Sequence, residues 1–370
     1  MKIAFASGRG TCRDLAGDTV QMLKTKQFLE AMFGLTIDIL EDAKSLDTSY
    51  DILHLFNLPY SDGVKHYINH AKRLGIKIVL STIFWDFTYS KGVEILSKFG
   101  VSPSNVNVRL LHFLNLLYQS SPYAKSNFLN AEVMKECIAI SDILLPNSKA
   151  ELKKLAEYLK VEDGSLIKKS IIVPNAVDAS LFQKTEDNRQ YFKDKYRIRD
   201  FVLTIGRISP NKNQLSVVEA LYDEPEVPIV FVGVPDDVNG KYFRKLKKLS
   251  DYRKNVYFLG EIEHEELPSA YNSAYLHVLP SFRDSPGLVS LEAALCGCEI
   301  VVSEELFGPS DEYFGKYGHF CEPNNTRSIK AAIMTAYTNK KNTEEFRDYI
   351  KQNYTWSNVA RVTYEAYKSL

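Results

Sequence analysis

Apolar residues along this chain fall into short unbroken runs, separated by longer stretches with three- and four-residue spacing. A first series reads KIAFAS, TIDIL, DILHLFN, KIVLS, DILLPN and SIIVPN. A second reads FVLTIGR, IVFVG, NVYFLG, LHVLPS and EIVVS. Runs of this kind, rich in β-branched residues and without alternation, suit parallel strands covered on both faces. Their alternation with helical segments makes βαβ units, and two series predict an α/β chain with two Rossmann-like, doubly wound domains. The break follows IIVPNAVDASLF, in the polar stretch QKTEDNRQYFKDKY. A linker near residues 176–190 therefore separates a domain over 1–180 from one over 185–355. The closing helix, TWSNVARVTYEAYKSL, is expected to pack back on the first domain over 356–370. Ser148 and Glu151 have capping-box spacing and predict a helix start after LLPN.

Composition narrows the class. Of 370 residues, 45% are hydrophobic and 25% charged, as in soluble globular proteins. Lys plus Arg (46) equals Asp plus Glu (46), so overall charge does not argue for nucleic acid. Five scattered cysteines (12, 137, 296, 298 and 321) form no disulfide framework and fit a reducing compartment. MKIAFAS is too short an apolar run for a secretory leader, and no run approaches a membrane span. The expectation is a cytoplasmic protein, soluble or peripheral at the inner face of a membrane. His66 and His70 could share a helix face but have no evident third ligand, and Cys296-Gly-Cys298 straddles a helix stop. No metal site is expected from either pair.

Ligands of open α/β folds bind beyond the C-terminal ends of strands, which directs attention to the loops there and to a cleft between two such domains. The most informative is HVLPSFRDSPGLVSLEAALCGCEIVVSE: a strand, a polar loop, a short helix, a glycine stop and a strand. The helix is expected to begin near Ser285–Gly287, with Pro286 in its first turn and Gly297 ending it. The first-turn N–H groups of Gly287, Leu288 and Val289 lack intrahelical acceptors and make an anion site with the helix dipole. Glu292 lies about 7 Å along the axis, placed to accept hydrogen bonds from ribose hydroxyls. Asp284, before the helix, could hold hydroxyls of a sugar. The bland alternative is a solvated glutamate and a turn aspartate, though a lone charge in so apolar a helix needs a partner.

Arg207 and Lys212 follow the strand FVLTIG and could face a diphosphate as a fixed positive pair. At the N-terminus, Gly8-Arg9-Gly10 is only GxG and lacks the third glycine of a dinucleotide fingerprint. In AGDTVQ, Gly17 and Asp18 open an amphipathic helix, Asp18 either as a simple cap or near a ligand.

These segments resemble glycosyltransferase family four. SFRDSPGLVSLE is similar to its E-x7-E motif with aspartate first, and VLTIGRISPNKNQLSVVEAL to its strand-turn-helix carrying Arg and Lys. LLPNSKAE and IIVPNAVDASLF are similar to segments before its crossover. The likeness runs from about residue 140 to 325. It implies a GT-B architecture, with an acceptor-side N-terminal domain and a nucleotide-sugar-binding C-terminal one. It also implies a retaining, metal-independent transfer to a glycan or lipid-linked acceptor, as in surface polysaccharide biosynthesis. No cofactor is expected, the UDP-, GDP- or ADP-sugar being a substrate. Under the resemblance, Arg207 and Lys212 stabilise the leaving diphosphate, Asp284 positions the sugar and Glu292 the ribose. Gly17, Asp18, Gly206, Ile262, Ser285, Gly287, Leu288 and Val289 complete the donor site.

Where many members of that family carry a histidine after the strand KIVLS, this chain reads TIFWDF. Trp85 either stacks on a sugar face or packs, and Asp86 could accept the acceptor's proton. His54, ending DILHLFN, either reaches the acceptor or is a satisfied semi-buried histidine. The apolar segment VNVRLLHFLNLLYQ (106–119) reads as a buried core helix, or as a surface for a lipid-linked acceptor or membrane interface. Two competing functions remain: a non-catalytic sugar-nucleotide or glycan-binding relative, and an NAD-dependent oxidoreductase, which would need the absent glycine fingerprint.

Overall fold

The structure, a computed structural model, describes residues 1–9, 17–104, 106–119, 129–339, 341 and 343–370. Gly10, Cys12 and Ala16 lie outside the described residues. The chain folds as two compact units. The first comprises Met1–Asp86, Pro122–Ala176 and Asn353–Leu370; the second comprises Phe87–Ser121 and Val177–Gln352.

The first unit holds a parallel sheet of β1 (Lys2–Ser7), β2 (Thr36–Ile39), β3 (Ile52–Phe56), β4 (Lys77–Ser81) and β5 (Ile143–Leu144), ordered β2-β1-β3-β4-β5. Its strands are apolar throughout because both faces are covered. Ile3 and Phe5 pack with the helices Gly17–Phe33 and Trp356–Lys368. Ala4 and Ala6 face the opposite cluster, with Val64 and Ile68 of the helix Ser61–Leu74 and Leu152 of Lys149–Leu159. Side chains two apart share a face, so a doubly covered strand must be apolar at every position. The Lys149 helix starts where the spacing predicts: Ser148 Oγ accepts the Glu151 N–H at 2.8 Å, while the Glu151 carboxylate takes the N–H of Asn147, one residue before the cap, at 2.9 Å.

The second unit holds β6 (Phe201–Ile205), β7 (Ile229–Val232), β8 (Val256–Phe258), β9 (Ala274–Leu279), β10 (Glu299–Ser303) and β11 (Gly318–Cys321), ordered β11-β10-β9-β6-β7-β8. All its pairings are parallel. Both sheets end their strands in the loops singled out above.

Four expectations are corrected. SIIVPN forms only a single bridge, Ser170 to Leu144, although Ile171 and Val173 still donate to Leu144 and Pro146 carbonyls. Pro174 has no N–H with which to extend the ladder. β11, reading GHFC, was too short and glycine-led to register as an apolar run. The polar stretch QKTEDNRQYFKDKY is largely the helix Glu186–Tyr196, which takes up the last five residues of the supposed linker 176–190; it is capped by Thr185 and held by one buried residue, Phe192. Finally, residues 87–121 group with the second unit, not with the strands that precede them. Their helices Thr88–Lys98 and Val108–Gln119 share a cluster of Val93 and Leu111 with Phe282 and Phe307. Among the described residues, no helix is long and apolar enough to cross a membrane.

Candidate functional site

The turn after β6 and the loop after β9 are tied to each other by side-chain amides. Asn213 sits in the left-handed region at φ 63° and donates from Nδ2 to the Pro280 and Pro323 carbonyls, at 3.1 and 2.7 Å. Asn211 donates to the Arg283 carbonyl at 3.1 Å and accepts the Phe282 N–H on its own carbonyl at 2.8 Å. Gln214 brackets the turn, donating to the Arg207 carbonyl and accepting the Ser209 N–H. Asn211, Asn213 and Gln214 were passed over in the sequence, where only Lys212 of NKNQ was singled out.

The clamp brings Lys212 onto Asp284. Lys212 Nζ lies 2.7 Å from Oδ1 and 3.0 Å from Oδ2, with both side chains about four-fifths buried. A charge pair this enclosed is weakly screened, so each group strongly biases where the other sits. Beneath it lies His277 of β9, whose Nε2 is 3.2 Å from Ser290 Oγ. Burial and then the Lys212 charge hold this imidazole down to about 3, hence neutral. Among the described residues its Nδ1 has no hydrogen-bond partner. The histidine was legible only as part of LHVLPS, with nothing to set it apart from a strand residue.

Arg207 does not join this pair. Its side chain is 72% exposed and meets Asp236 Oδ1 at 3.4 Å, on the loop after β7. The expected pair of fixed cations is therefore one enclosed lysine and one solvated arginine. Four residues, 208–211, separate them, and the turn between them directs the two side chains to different carboxylates.

The helix after the loop spans Leu288–Leu295, later than expected. Gly287 is its N-cap, at φ 90°, and the Ser285–Pro286 peptide before it is cis. Pro286 is thus in the turn ahead of the helix, not in its first turn. A side chain on Gly287 would be strained by that φ and would meet Leu279 Cδ2 at 3.1 Å. The Leu288 and Val289 N–H groups have no acceptor within the helix.

Glu292, on the second turn, is buried and accepts from Tyr271 Oη at 2.9 Å. Burial pushes its carboxyl up to about 7, against the opposing effect of the tyrosine bond. The partner that a charge in an apolar helix requires is Tyr271, itself buried, from the helix Leu267–Ser273. Ile262 is also buried. Gly206, at φ 134°, packs its carbonyl where a Cβ on Gly233 would lie 2.2 Å away. Cys296, Cys298 and Cys321 are buried thiols, their acidities lowered by burial.

In the first unit, Asp18 is on the first turn of the Gly17 helix, 2.5 Å from Asn57 Nδ2 and 3.5 Å from Arg9 Nη1. Gly17 is exposed, and a Cβ there would meet nothing within 4 Å. His54 resolves as the satisfied histidine. Its Nδ1 lies 2.6 Å from Tyr367 Oη and its Nε2 2.8 Å from Ser81 Oγ. Burial holds it down to about 3, so it is neutral and enclosed, without reach to any acceptor. Trp85 is 1% exposed, which leaves no ring face for a sugar to stack on. Asp86 is half-buried, and its charge adds to burial in raising the Tyr158 phenol. His70 bonds the Leu46 carbonyl at 3.1 Å.

The paired loops fall inside a recognisable stretch. Residues 184–353 match the family of group 1 glycosyl transferases. The matched stretch contains Arg207, Lys212, Ile262, Asp284, Gly287 and Glu292 together. The chain is 23% identical over 246 residues to the serotype-specific mannosyltransferase WbdA of Escherichia coli, covering 62% of this chain and 29% of that one. It is 27% identical over 211 residues to the phosphatidylinositol N-acetylglucosaminyltransferase gpi3 subunit of Schizosaccharomyces pombe, covering 55% and 44%. The chain thus spans less than half the length of these relatives. Its fold is that of the Anabaena protein Alr3699/HepE solved in complex with UDP, at TM-score 0.74 and 14% identity, covering 100% of both chains. The fold class is GT-B, with two parallel-sheet α/β units.

Proposed function

We propose that this protein is a glycosyltransferase that moves a sugar from a nucleotide-sugar donor to a glycan or lipid-linked acceptor. One observation carries the reading: the enclosed, two-pronged contact of Lys212 with Asp284, at the strand ends of the group 1 stretch. A lysine held there is a cation kept in place for a diphosphate, and Asp284, once the diphosphate takes over part of that contact, is free to hold sugar hydroxyls. Arg207 exchanges Asp236 for the diphosphate when donor binds. As the glycosidic bond loosens, Lys212, Arg207 and the Leu288 and Val289 N–H groups offset the charge growing on the leaving group. Glu292 accepts the ribose hydroxyls beside Tyr271.

The UDP complex of the Anabaena protein supports a nucleotide-linked donor. The resemblance to family four, with aspartate in the first acidic position, supports retention of configuration without a metal. The mannosyltransferase relative supports a role in surface polysaccharide assembly, and the gpi3 relative a lipid-linked acceptor. We place such an enzyme in the cytoplasm, peripheral at the inner face of the membrane.

Thermal shift with UDP-, GDP- and ADP-sugars identifies the donor, because a ligand of the folded state stabilises it by mass action. With that donor, Lys212→Ala or Glu292→Ala should lower turnover at least about a hundredfold, roughly 2.7 kcal/mol of barrier. Turnover near wild type in either variant removes the assignment.

A further inference from the structure

The helix Val108–Gln119 is not the buried core helix that its composition allowed. Leu110, Phe113, Leu116 and Leu117 are 45%, 54%, 49% and 51% exposed. At 100° per residue these four fall within an arc of about 120°, while the buried Leu111 and Asn115 lie on the opposite side. The preceding turn adds Phe99 and Val101, 74% and 45% exposed. Six of the fifteen large hydrophobic side chains exposed among the described residues thus lie between positions 99 and 117. So dense an exposed patch marks a contact surface.

Charge indicates what covers it. From Phe87 to Gln119 the chain carries Lys91, Lys98 and Arg109 against a single acid, Glu94, which Lys91 neutralises at 2.8 Å. Arg109 is exposed and falls within the arc of the four apolar residues. Beside the turn stands the basic helix Lys241–Arg253: a Cβ on Gly100 would lie 3.7 Å from Lys241 Cδ. Lys241, Arg244 and Lys248 of that helix are exposed as well. An apolar face set among cations is the pattern of a helix lying in an anionic lipid interface.

The same hairpin supports the candidate donor loop. Gly92 lets its two helices meet, since a Cβ there would lie 2.6 Å from the Leu111 carbonyl oxygen. Leu111 packs with Phe282 and Phe307, and Asp284 donates its N–H to the Phe307 carbonyl at 3.0 Å. The Arg283 guanidinium lies 3.8 Å over the Phe87 ring. We infer that the hairpin Thr88–Gln119 seats the protein on an anionic membrane surface through Leu110, Phe113, Leu116 and Leu117, and so presents the Asp284 loop to an acceptor anchored in that membrane. This rests on the transferase reading for the acceptor, but the membrane contact stands apart from it.

The test is sedimentation of the full chain with vesicles of phosphatidylcholine alone or mixed with phosphatidylglycerol. Wild-type protein should bind the mixed vesicles, less so as salt rises, and bind phosphatidylcholine weakly. Leu116→Ser combined with Leu117→Ser should weaken binding at least about tenfold, because less apolar surface enters the interface. The thermal shift produced by donor should be unchanged in that variant. If the double variant folds poorly by circular dichroism, Arg109→Glu with Lys98→Glu, both on the surface, should weaken binding to mixed vesicles and reduce its salt dependence. The inference is overturned if wild type ignores mixed vesicles, or if the folded variants bind as wild type does. It is also overturned if wild type is a dimer that the leucine substitutions dissociate, since the patch would then belong to a second copy. Loss of the donor shift in wild type would refute the transferase reading and leave the vesicle result standing.

Discussion

Glu292 combines burial with a single tyrosine donor, and this makes it a pH-sensitive group. Its carboxyl is raised from 4.5 to about 7, chiefly by burial. A raised acid is stabilised in its protonated form by folding, so its favourable contribution is complete below pH 4.5 and disappears as pH rises through 7. The span corresponds to about 3 kcal/mol. Urea unfolding of wild type should show that decline, and Glu292→Gln should flatten it while keeping the Tyr271 bond. His54 makes the opposite case: a functional candidate that the fold uses for itself. Tyr367→Phe would strand its Nδ1 in the core, costing about 1–3 kcal/mol in denaturant melts. Turnover per folded molecule should not change. Both residue types were legible in the sequence as polar groups amid apolar neighbours. Their partners, Tyr271 and Tyr367, were not, because they lie 21 and 313 positions away.

At the scale of elements, glycines separate packing from ligand contact. Gly8, read as part of an incomplete dinucleotide fingerprint, follows β1 against the Ser61 helix, and a Cβ on Gly63 would lie 2.1 Å from its carbonyl oxygen. Gly63→Ala should therefore destabilise by more than about 2 kcal/mol, since strand and helix would have to separate. Gly17→Ala places its methyl in open space and should leave the melting temperature almost unmoved. If Gly17 approaches donor phosphates as the resemblance implies, the same change should raise the donor Kd without altering stability; isothermal titration would show it. Most strands and the helix capped at Ser148 were legible because period and caps are local signals. The Glu186 helix was hidden by having one buried side chain, Phe192, and the Leu288 helix began late because Gly287, not Pro286, forms its entry.

At the scale of the molecule, the chain returns at Asn353–Leu370 to the unit where it began. Trp356, Val359 and Ala360 fill the same cluster as Ile3 and Phe5, and Tyr367 holds His54. Removing residues 353–370 should expose that face of the first sheet. Hydrogen exchange should then show lost protection in β1 and β3 while β6 and β9 keep theirs, because locally cooperative units open separately. The order of apolar runs, the capping signals and the acidic spacing around SPG are local, so the sequence by itself determined two parallel α/β sheets and pointed to the Asp284 loop. Tertiary structure alone decided that Lys212 meets Asp284 while Arg207 turns to Asp236, that Glu292 faces Tyr271, and that residues 87–121 belong with the second unit. The physical reason is that burial and partner choice depend on residues distant in the chain, whereas periodicity depends on neighbours.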